Sequence, residues 1–327
     1  MQRNIHANYT YYDDEDNEQA ACSIIIFMLS SMADGEEIEA GTLCCASCGI
    51  AENDDVELRE CDDCGLVKYC SDECQNNHKS EHEEECKKRA AELRDELLFK
   101  QPESSHHGDC PICCLPLPLD MAKTSMCYSC SKVICKGCNR ANQKRGLVQK
   151  CPFCREPLPK TVEEGEKLNM KRIEANDPVA LCYEGVTQHK KGDHRTAFEY
   201  YTKAADLRSA DAHYRLAEMY DEGEGVEMEP GKVIHHLEEA AIGGHPHARY
   251  NLGVLEWNNG NYERAVKHWI IAATQGEDDS IKDLIDAFKE GFMAKEDLAA
   301  ALRAHKAAVD ATKSPQREGA EEFYRAN

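Results

Sequence analysis

Two stretches, "AHYRLAEMY" (Ala212 to Tyr220) and "ARYNLGVLE" (Ala248 to Glu256), align at a separation of 36 residues, matching Ala212 to Ala248, Tyr214 to Tyr250 and Leu216 to Leu252. A second motif recurs beside them. "AFEYYTKAADL" from Ala197, "VIHHLEEAAIGG" from Val233, "AVKHWIIAATQG" from Ala265 and "LAAALRAHKAAV" from Leu298 each carry an Ala pair, beginning at 204, 240, 272 and 307. The interval shortens where the loop "DEGEGVEMEPG" gives way to "NNGN", and length changes between repeats belong in loops. Alanines at fixed places let two helices approach closely, while Tyr and Leu fill the gaps. The unit is therefore an antiparallel helix pair, repeated about four times, and such pairs stack into an α-solenoid.

Upstream of the repeats the chemistry changes to cysteine. The 327-residue chain has 19 cysteines, nearly all of them between residues 44 and 154. The longest apolar run, "SIIIFML" (Ser23 to Leu29), is far shorter than the roughly 20 residues of a spanning helix. Its upstream flank, "YYDDEDNEQ", is acidic where a secretory signal would be basic. The expectation is a reducing compartment, cytoplasmic or nuclear, in which paired cysteines ligate metal rather than form disulfides. With 61 acidic against 39 basic residues, a formal charge of -22, the chain repels phosphate backbones and anionic bilayers. Neither nucleic acid nor membrane is an expected partner.

The first cluster reads Cys45-x2-Cys48, Cys61-x2-Cys64, Cys70-x3-Cys74 and His82-x3-Cys86, four ligand pairs for two tetrahedral zinc sites. His82 and Cys86, four apart, share a face if the segment is helical. "HEEEC" (His82 to Cys86) mimics half of a helical metalloprotease site, yet Cys61 and Cys64 can close the tetrahedron and exclude the attacking water. "YCSDECQ" (Tyr69 to Gln75), followed by the His and Cys, resembles the MYND zinc finger over about residues 45 to 86. The resemblance implies that Cys45, Cys48, Cys70 and Cys74 share one zinc, and Cys61, Cys64, His82 and Cys86 the other. Lys79 stands where that family commonly has an aromatic residue.

The second cluster runs Cys110-x2-Cys113, Cys127-x2-Cys130, Cys135-x2-Cys138 and Cys151-x2-Cys154. Its opening "CPIC" and closing "CPFCREP" resemble a RING-type finger over roughly residues 108 to 158. That resemblance implies one zinc on Cys110, Cys113, Cys135 and Cys138, and another on Cys127, Cys130, Cys151 and Cys154. Lys132 replaces the usual histidine, which makes Cys127 the substitute ligand; Cys114 is the alternative. It further implies that Ile112 and Pro152 touch a ubiquitin-conjugating enzyme while Arg155 reaches toward its ubiquitin-loaded active site. The Trp common at that contact is missing from "NRANQKRGLVQK" (Asn139 to Lys150).

Sixteen ligands divide into about four structural Zn2+ sites, whose binding free energy supplies the folding drive that small fingers lack. The fingers differ in charge: residues 45 to 86 hold 13 acidic and 3 basic residues, residues 110 to 160 hold 2 and 9. "GEGV" (Gly223 to Val226), with the recurring Tyr, Leu and Ala positions, resembles the Sel-one-like relatives of the tetratricopeptide repeat, over about residues 178 to 309. Such solenoids commonly bind protein segments on their concave side. His235, His236, His245 and His247 read as capping or surface residues rather than a metal site. Tyr200, Tyr201, Tyr250 and Trp269 fall at repeat positions and read as core.

The expected architecture is mainly α, two zinc-stapled fingers followed by a solenoid. Its segments are an acidic leader (1–40), the MYND-type finger (41–88), a helical connector (89–105), the RING-type finger (106–160), a charged linker (161–177), the repeats (178–312) and a tail (313–327). The sequence shows no nucleophile-and-base pair, no phosphate loop and no cofactor motif. Two functions remain open: a zinc-binding adaptor that holds a client and recruits a ubiquitin-conjugating enzyme, or a scaffold whose fingers only bind proteins or brace the solenoid.

Overall fold

The computed structural model describes residues 44–144 and 150–326. The acidic leader with its apolar run, and residues 145–149, lie outside them. One compact unit ends at Leu97 and the other begins at Leu98. In the first, a two-stranded ribbon, β1 (Arg59–Glu60) and β2 (Lys68–Tyr69), pairs antiparallel with Arg59 opposite Tyr69, and helix α1 (Asp72–Leu98) follows. Its small core is Leu58 and Tyr69 among cysteines.

The second unit opens with a hairpin, β3 (Thr124–Met126) and β4 (Val133–Cys135), that places Thr124 opposite Cys135 and leads into α2 (Lys136–Lys144). Helix α3 (Val162–Glu174) occupies the charged linker, its start capped by the Thr161 hydroxyl accepting from the Glu164 N–H. The repeats then give four helix pairs: α4 (Pro178–Lys190) with α5 (His194–Asp206), α6 (Ala210–Glu222) with α7 (Pro230–Ile242), α8 (Pro246–Asn258) with α9 (Tyr262–Thr274), and α10 (Asp278–Glu290) with α11 (Lys295–Ala311). Each first helix starts from a side-chain cap: Asp177, Ser209, His245 and Glu277 accept from N–H groups of the first turn. Such caps stabilise a helix by about 1 kcal/mol each. The recurring Ala pairs are buried or nearly so in the first three pairs, as Ala204 and Ala205, Ala240 and Ala241, and Ala272 and Ala273. Among the described residues no helix is long and apolar enough to cross a membrane.

Residues 313–327, read from sequence as a tail, contain α12 (Pro315–Ala326). This helix lies on α2 of the second finger. A Cβ on Gly137 would come within 3.0 Å of the Arg317 Cα, so a side chain there would push the two helices apart. Phe323 lies under the Arg140 guanidinium at 3.3 Å and Tyr324 under Lys136 at 4.9 Å. At the other end of this unit's chain, Leu98 is buried and its carbonyl accepts from Arg249, while Phe99 contacts the His268 ring at 4.6 Å.

Inside the repeats, glycine and aromatic residues trade volume. A Cβ on Gly185 would meet the Tyr201 ring at 2.5 Å, and one on Gly253 would meet the Trp269 indole at 2.4 Å. The same two positions of the middle pair carry Ala217 and Leu237, both in one core cluster. Gly253→Ala should therefore cost about 1–3 kcal/mol by overpacking. In a Trp269→Leu background it should be near neutral or stabilising, because that pair reproduces Ala217 with Leu237. A thermal melt followed by helical circular dichroism, run on all four combinations, reads the coupling directly; strict additivity would show that the two residues do not compete for one space.

Candidate metal centres

Five of the Cys-x2-Cys pairs sit in one kind of turn. The N–H of the first cysteine donates to a carbonyl just past the second: Cys45 to Ile50 at 2.8 Å, Cys61 to Val67 at 2.8 Å, Cys110 to Leu115 at 2.9 Å, Cys127 to Lys132 at 2.9 Å and Cys151 to Glu156 at 2.8 Å. The residue following the second cysteine then donates its own N–H back to the first cysteine's carbonyl, at 2.8 to 3.1 Å, and has positive φ: Gly49, Gly65, Cys114, Ser131 and Arg155. Glycine takes that left-handed conformation without penalty, whereas an ordinary side chain costs about 1–2 kcal/mol there.

This turn bears on two sequence ambiguities. Cys114 is exposed, occupies the left-handed position at φ 54° and closes the knuckle, so it does not point at the metal centre as Cys110 and Cys113 do. Lys132 supplies only its carbonyl to the Cys127 knuckle. Cys127 and Cys130 therefore form a pair built like Cys110 with Cys113 and Cys151 with Cys154.

Three quartets converge so that their ligand atoms lie within 4.8 Å of one another: Cys45, Cys48, Cys70 and Cys74; Cys61, Cys64, His82 and Cys86; Cys110, Cys113, Cys135 and Cys138. In the fourth set Cys130, Cys151 and Cys154 converge, and the buried Cys127 thiol engages Cys151. Sulfur separations are 3.6 Å for Cys48 with Cys70, 3.7 Å for Cys61 with Cys86, 3.9 Å for Cys113 with Cys135 and 3.7 Å for Cys130 with Cys151. A tetrahedron with metal–sulfur bonds of about 2.3 Å has edges of about 3.8 Å, while a disulfide would need about 2.05 Å. The thiol spacing fits zinc. His82 Nε2 stands 3.1 Å from the Cys64 sulfur, and helix α1 carries Cys74 in its first turn and His82 and Cys86 one turn apart further along.

The knuckle amides also prepare the sulfurs. Burial raises the thiol of Cys45, but the N–H groups of Cys48, Cys70 and Ser47 outweigh it and bring the pKa to about 6. Cys110 and Cys151 fall to about 7 for the same reason, each facing two backbone N–H groups of its own turn. Burial and the neighbouring Cys151 push Cys127 up to about 12, and Cys86 reaches about 12 through burial and its contacts with Cys61 and Cys64. Several thiolates at one point repel unless a cation sits between them.

Residues beyond the ligand pattern complete the third quartet. The Arg317 guanidinium donates to the carbonyls of Pro116 at 2.6 Å, Leu115 at 3.1 Å and Thr312 at 2.7 Å, and to the Cys113 sulfur at 3.4 Å. Gln316 donates to the Cys138 sulfur at 3.5 Å. Donors of this kind offset thiolate charge and orient the ligands. Nothing in "SPQREG" announces this role. The proposed contact residues of the second finger all reach solvent: Ile112 is 39% exposed, and Pro152 and Arg155 are exposed. Pro152 and Arg155 line a groove of about 450 Å³ with Tyr128, Asn139 and Asn142, and Ile112 lies outside its lining.

A cysteine-rich metal-binding region followed by a helical-repeat solenoid is thus the class that fold and sites define. A family model of the MYND finger, a zinc-binding module, matches residues 45–86, and one of the Sel1 repeat matches residues 180–209, 210–245 and 246–277. The second cysteine cluster is matched by neither. Among solved structures, a Sel1 repeat protein from Oxalobacter formigenes is 20% identical over 58% of this chain and 86% of that one, with a TM-score of 0.41. A protective antigen of uropathogenic Escherichia coli strains displaying an SLR fold is 19% identical over 50% of this chain and 37% of that one, with a TM-score of 0.37. No curated protein matches the chain.

The knuckle geometry separates Cys114 from Cys127. Cys114→Gly should leave the metal content unchanged and stabilise the turn by about 1 kcal/mol, since it relieves the left-handed conformation. Cys127→Ser should release one zinc. Metal analysis of the purified variants decides: a loss from Cys114→Gly, or none from Cys127→Ser, contradicts the assignment.

Proposed function

We propose that the chain is a zinc-stapled protein-interaction adaptor. In this reading four structural zinc ions are held by Cys45, Cys48, Cys70 and Cys74; by Cys61, Cys64, His82 and Cys86; by Cys110, Cys113, Cys135 and Cys138; and by Cys127, Cys130, Cys151 and Cys154. The observation that carries it is closure. Three sets bring a complete quartet of donors to one point. A zinc so enclosed has no coordination position left for reacting water. With the metals closed, function falls to surfaces.

The solenoid offers one such surface. Two grooves of about 280 and 270 Å³ share Glu218 and Glu222 on α6, one with Tyr201 and Met219 in its lining, the other with Leu237 and Val254. The first groove also carries Lys190 and Arg215, the latter paired with Glu218 at 2.7 Å, so the second, with acidic and apolar residues and no basic one in its lining, is the groove that favours a basic client segment with apolar anchors. For the second finger we propose a ubiquitin-conjugating enzyme, docked by Ile112 and Pro152, with Arg155 holding the loaded thioester. Support comes from the exposure of all three residues and the groove beside two of them. The Arg317 anchor favours a second reading, in which this finger is a brace and the whole chain a non-catalytic scaffold.

Arg155 allows a clean test, because its left-handed backbone is one that glycine adopts freely. Arg155→Gly should keep the knuckle, the zinc and enzyme binding, yet slow self-ubiquitination with a responsive conjugating enzyme by about tenfold to a hundredfold, the worth of one charged hydrogen-bonding contact. Ile112→Ala should abolish enzyme binding. Absence of transfer by the unaltered protein with a full panel of conjugating enzymes, or full transfer by both variants, leaves the brace reading standing.

A further inference from the structure

Outside the cysteine sets, three ligand-bearing side chains meet where the loop before the second finger touches α6. Ring nitrogens of His106 and His107 and a carboxylate oxygen of Asp211 all lie within 4.8 Å of one another. His106 Nε2 is 2.9 Å from Asp211 Oδ1, and its side chain is only 6% exposed. The two imidazoles are in contact, with ring centroids 4.3 Å apart.

A simple His–Asp tether would account for His106 Nε2 and for nothing else in the cluster. It leaves unexplained why a ring nitrogen of His107 is brought within 4.8 Å of the same two groups. A second imidazole is packed against the first although two imidazolium rings would repel. The half-buried His107 ring lies against the His106 ring in this contact. The backbone of Leu119 hydrogen-bonds the same ring. A carbonyl on one nitrogen fixes the tautomer and leaves the other nitrogen available, which is how metal-binding histidines are usually oriented.

We propose that His106, His107 and Asp211 bind a divalent transition-metal ion, zinc by ligand type, at a site separate from the cysteine centres. Two imidazole nitrogens and one carboxylate suit zinc, with bonds of about 2.0–2.1 Å and tetrahedral edges of about 3.4 Å. The 2.9 Å separation of His106 and Asp211 needs only a small opening to admit the ion. His245 completes the wall without ligating. Its Nδ1 accepts the Ala248 N–H at 3.2 Å, which leaves the proton on Nε2, 3.6 Å from Asp211 Oδ1. Tyr214 stacks on its ring at 4.3 Å and holds it there. Three protein ligands leave one position for water. This site is open where the cysteine quartets are closed.

The experiment uses full-length protein equilibrated with micromolar free zinc. Metal per chain is compared for the unaltered protein, His107→Ala and Asp211→Asn, with helical circular dichroism as the control for folding. Each variant should hold one ion fewer while its helical signal is unchanged; equal metal content in all three overturns the proposal. Should His107→Ala lose helix, Asp211→Asn, nearly the same in shape, still decides. A second measurement needs no variant: a mild chelator withdraws the zinc of the open site while the cysteine centres stay filled, and cobalt(II) is added after the chelator is removed. Uptake of one equivalent with weak visible bands, and without the near-ultraviolet sulfur-to-cobalt charge-transfer band, marks a nitrogen–oxygen site. No uptake, or uptake only with the sulfur band, overturns it.

Discussion

In five separate turns the N–H of a leading cysteine crosses to a carbonyl five or six residues on, and a left-handed residue turns the chain back. This is the constraint on which both finger regions depend. It aims two sulfurs at one point and, at Cys45, Cys61, Cys110 and Cys151, brings amide N–H groups to the leading sulfur. Where those amides are most numerous the thiol acidifies, as at Cys45, Cys110 and Cys151. The ordinary hydrophobic drive is weak here, since the core of the second finger contains little beyond Leu117 and Ile134 among its cysteines. An ion shared by four donors supplies what such a core cannot.

The second finger is not free-standing. Arg317 sends its guanidinium into the carbonyls of Pro116 and Leu115 and onto the Cys113 sulfur, and α12 is held against α2 by the absence of a side chain at Gly137. On another side Tyr128 meets Tyr183 of α4 through their hydroxyls at 3.0 Å, and its ring lies 3.4 Å from the space a Gly165 Cβ would fill. The finger is thereby seated on the helical unit from the far end of the chain as well as from its neighbour in sequence.

The solenoid obeys a different rule, conservation of volume between paired helices. Where one helix brings Tyr201 or Trp269, the facing helix gives up its Cβ at Gly185 or Gly253; where it brings Leu237, the facing residue is Ala217. A larger residue on one helix is met by a smaller one on the other, so the backbones keep their approach although the residues change.

The sequence by itself determined the helix pairs, their number and their alanine seams, because a 36-residue period and a 3.6-residue turn both leave marks that can be counted. It also determined which cysteines come in pairs. The left-handed position was not legible, since glycine marks it at Gly49 and Gly65 but Cys114, Ser131 and Arg155 stand there in the second cluster, and spacing alone left Cys114 a rival of Cys127. Only the tertiary structure showed that the first sits where the chain must turn back. The structure alone also decided the places of Arg317, of Gly137 opposite it, and of Asp211 beside His106. Those partners lie 180 and 105 positions apart in the chain. No local period or motif records contacts at such separations, because they are set by how the chain folds back on itself and by what the packing leaves room for.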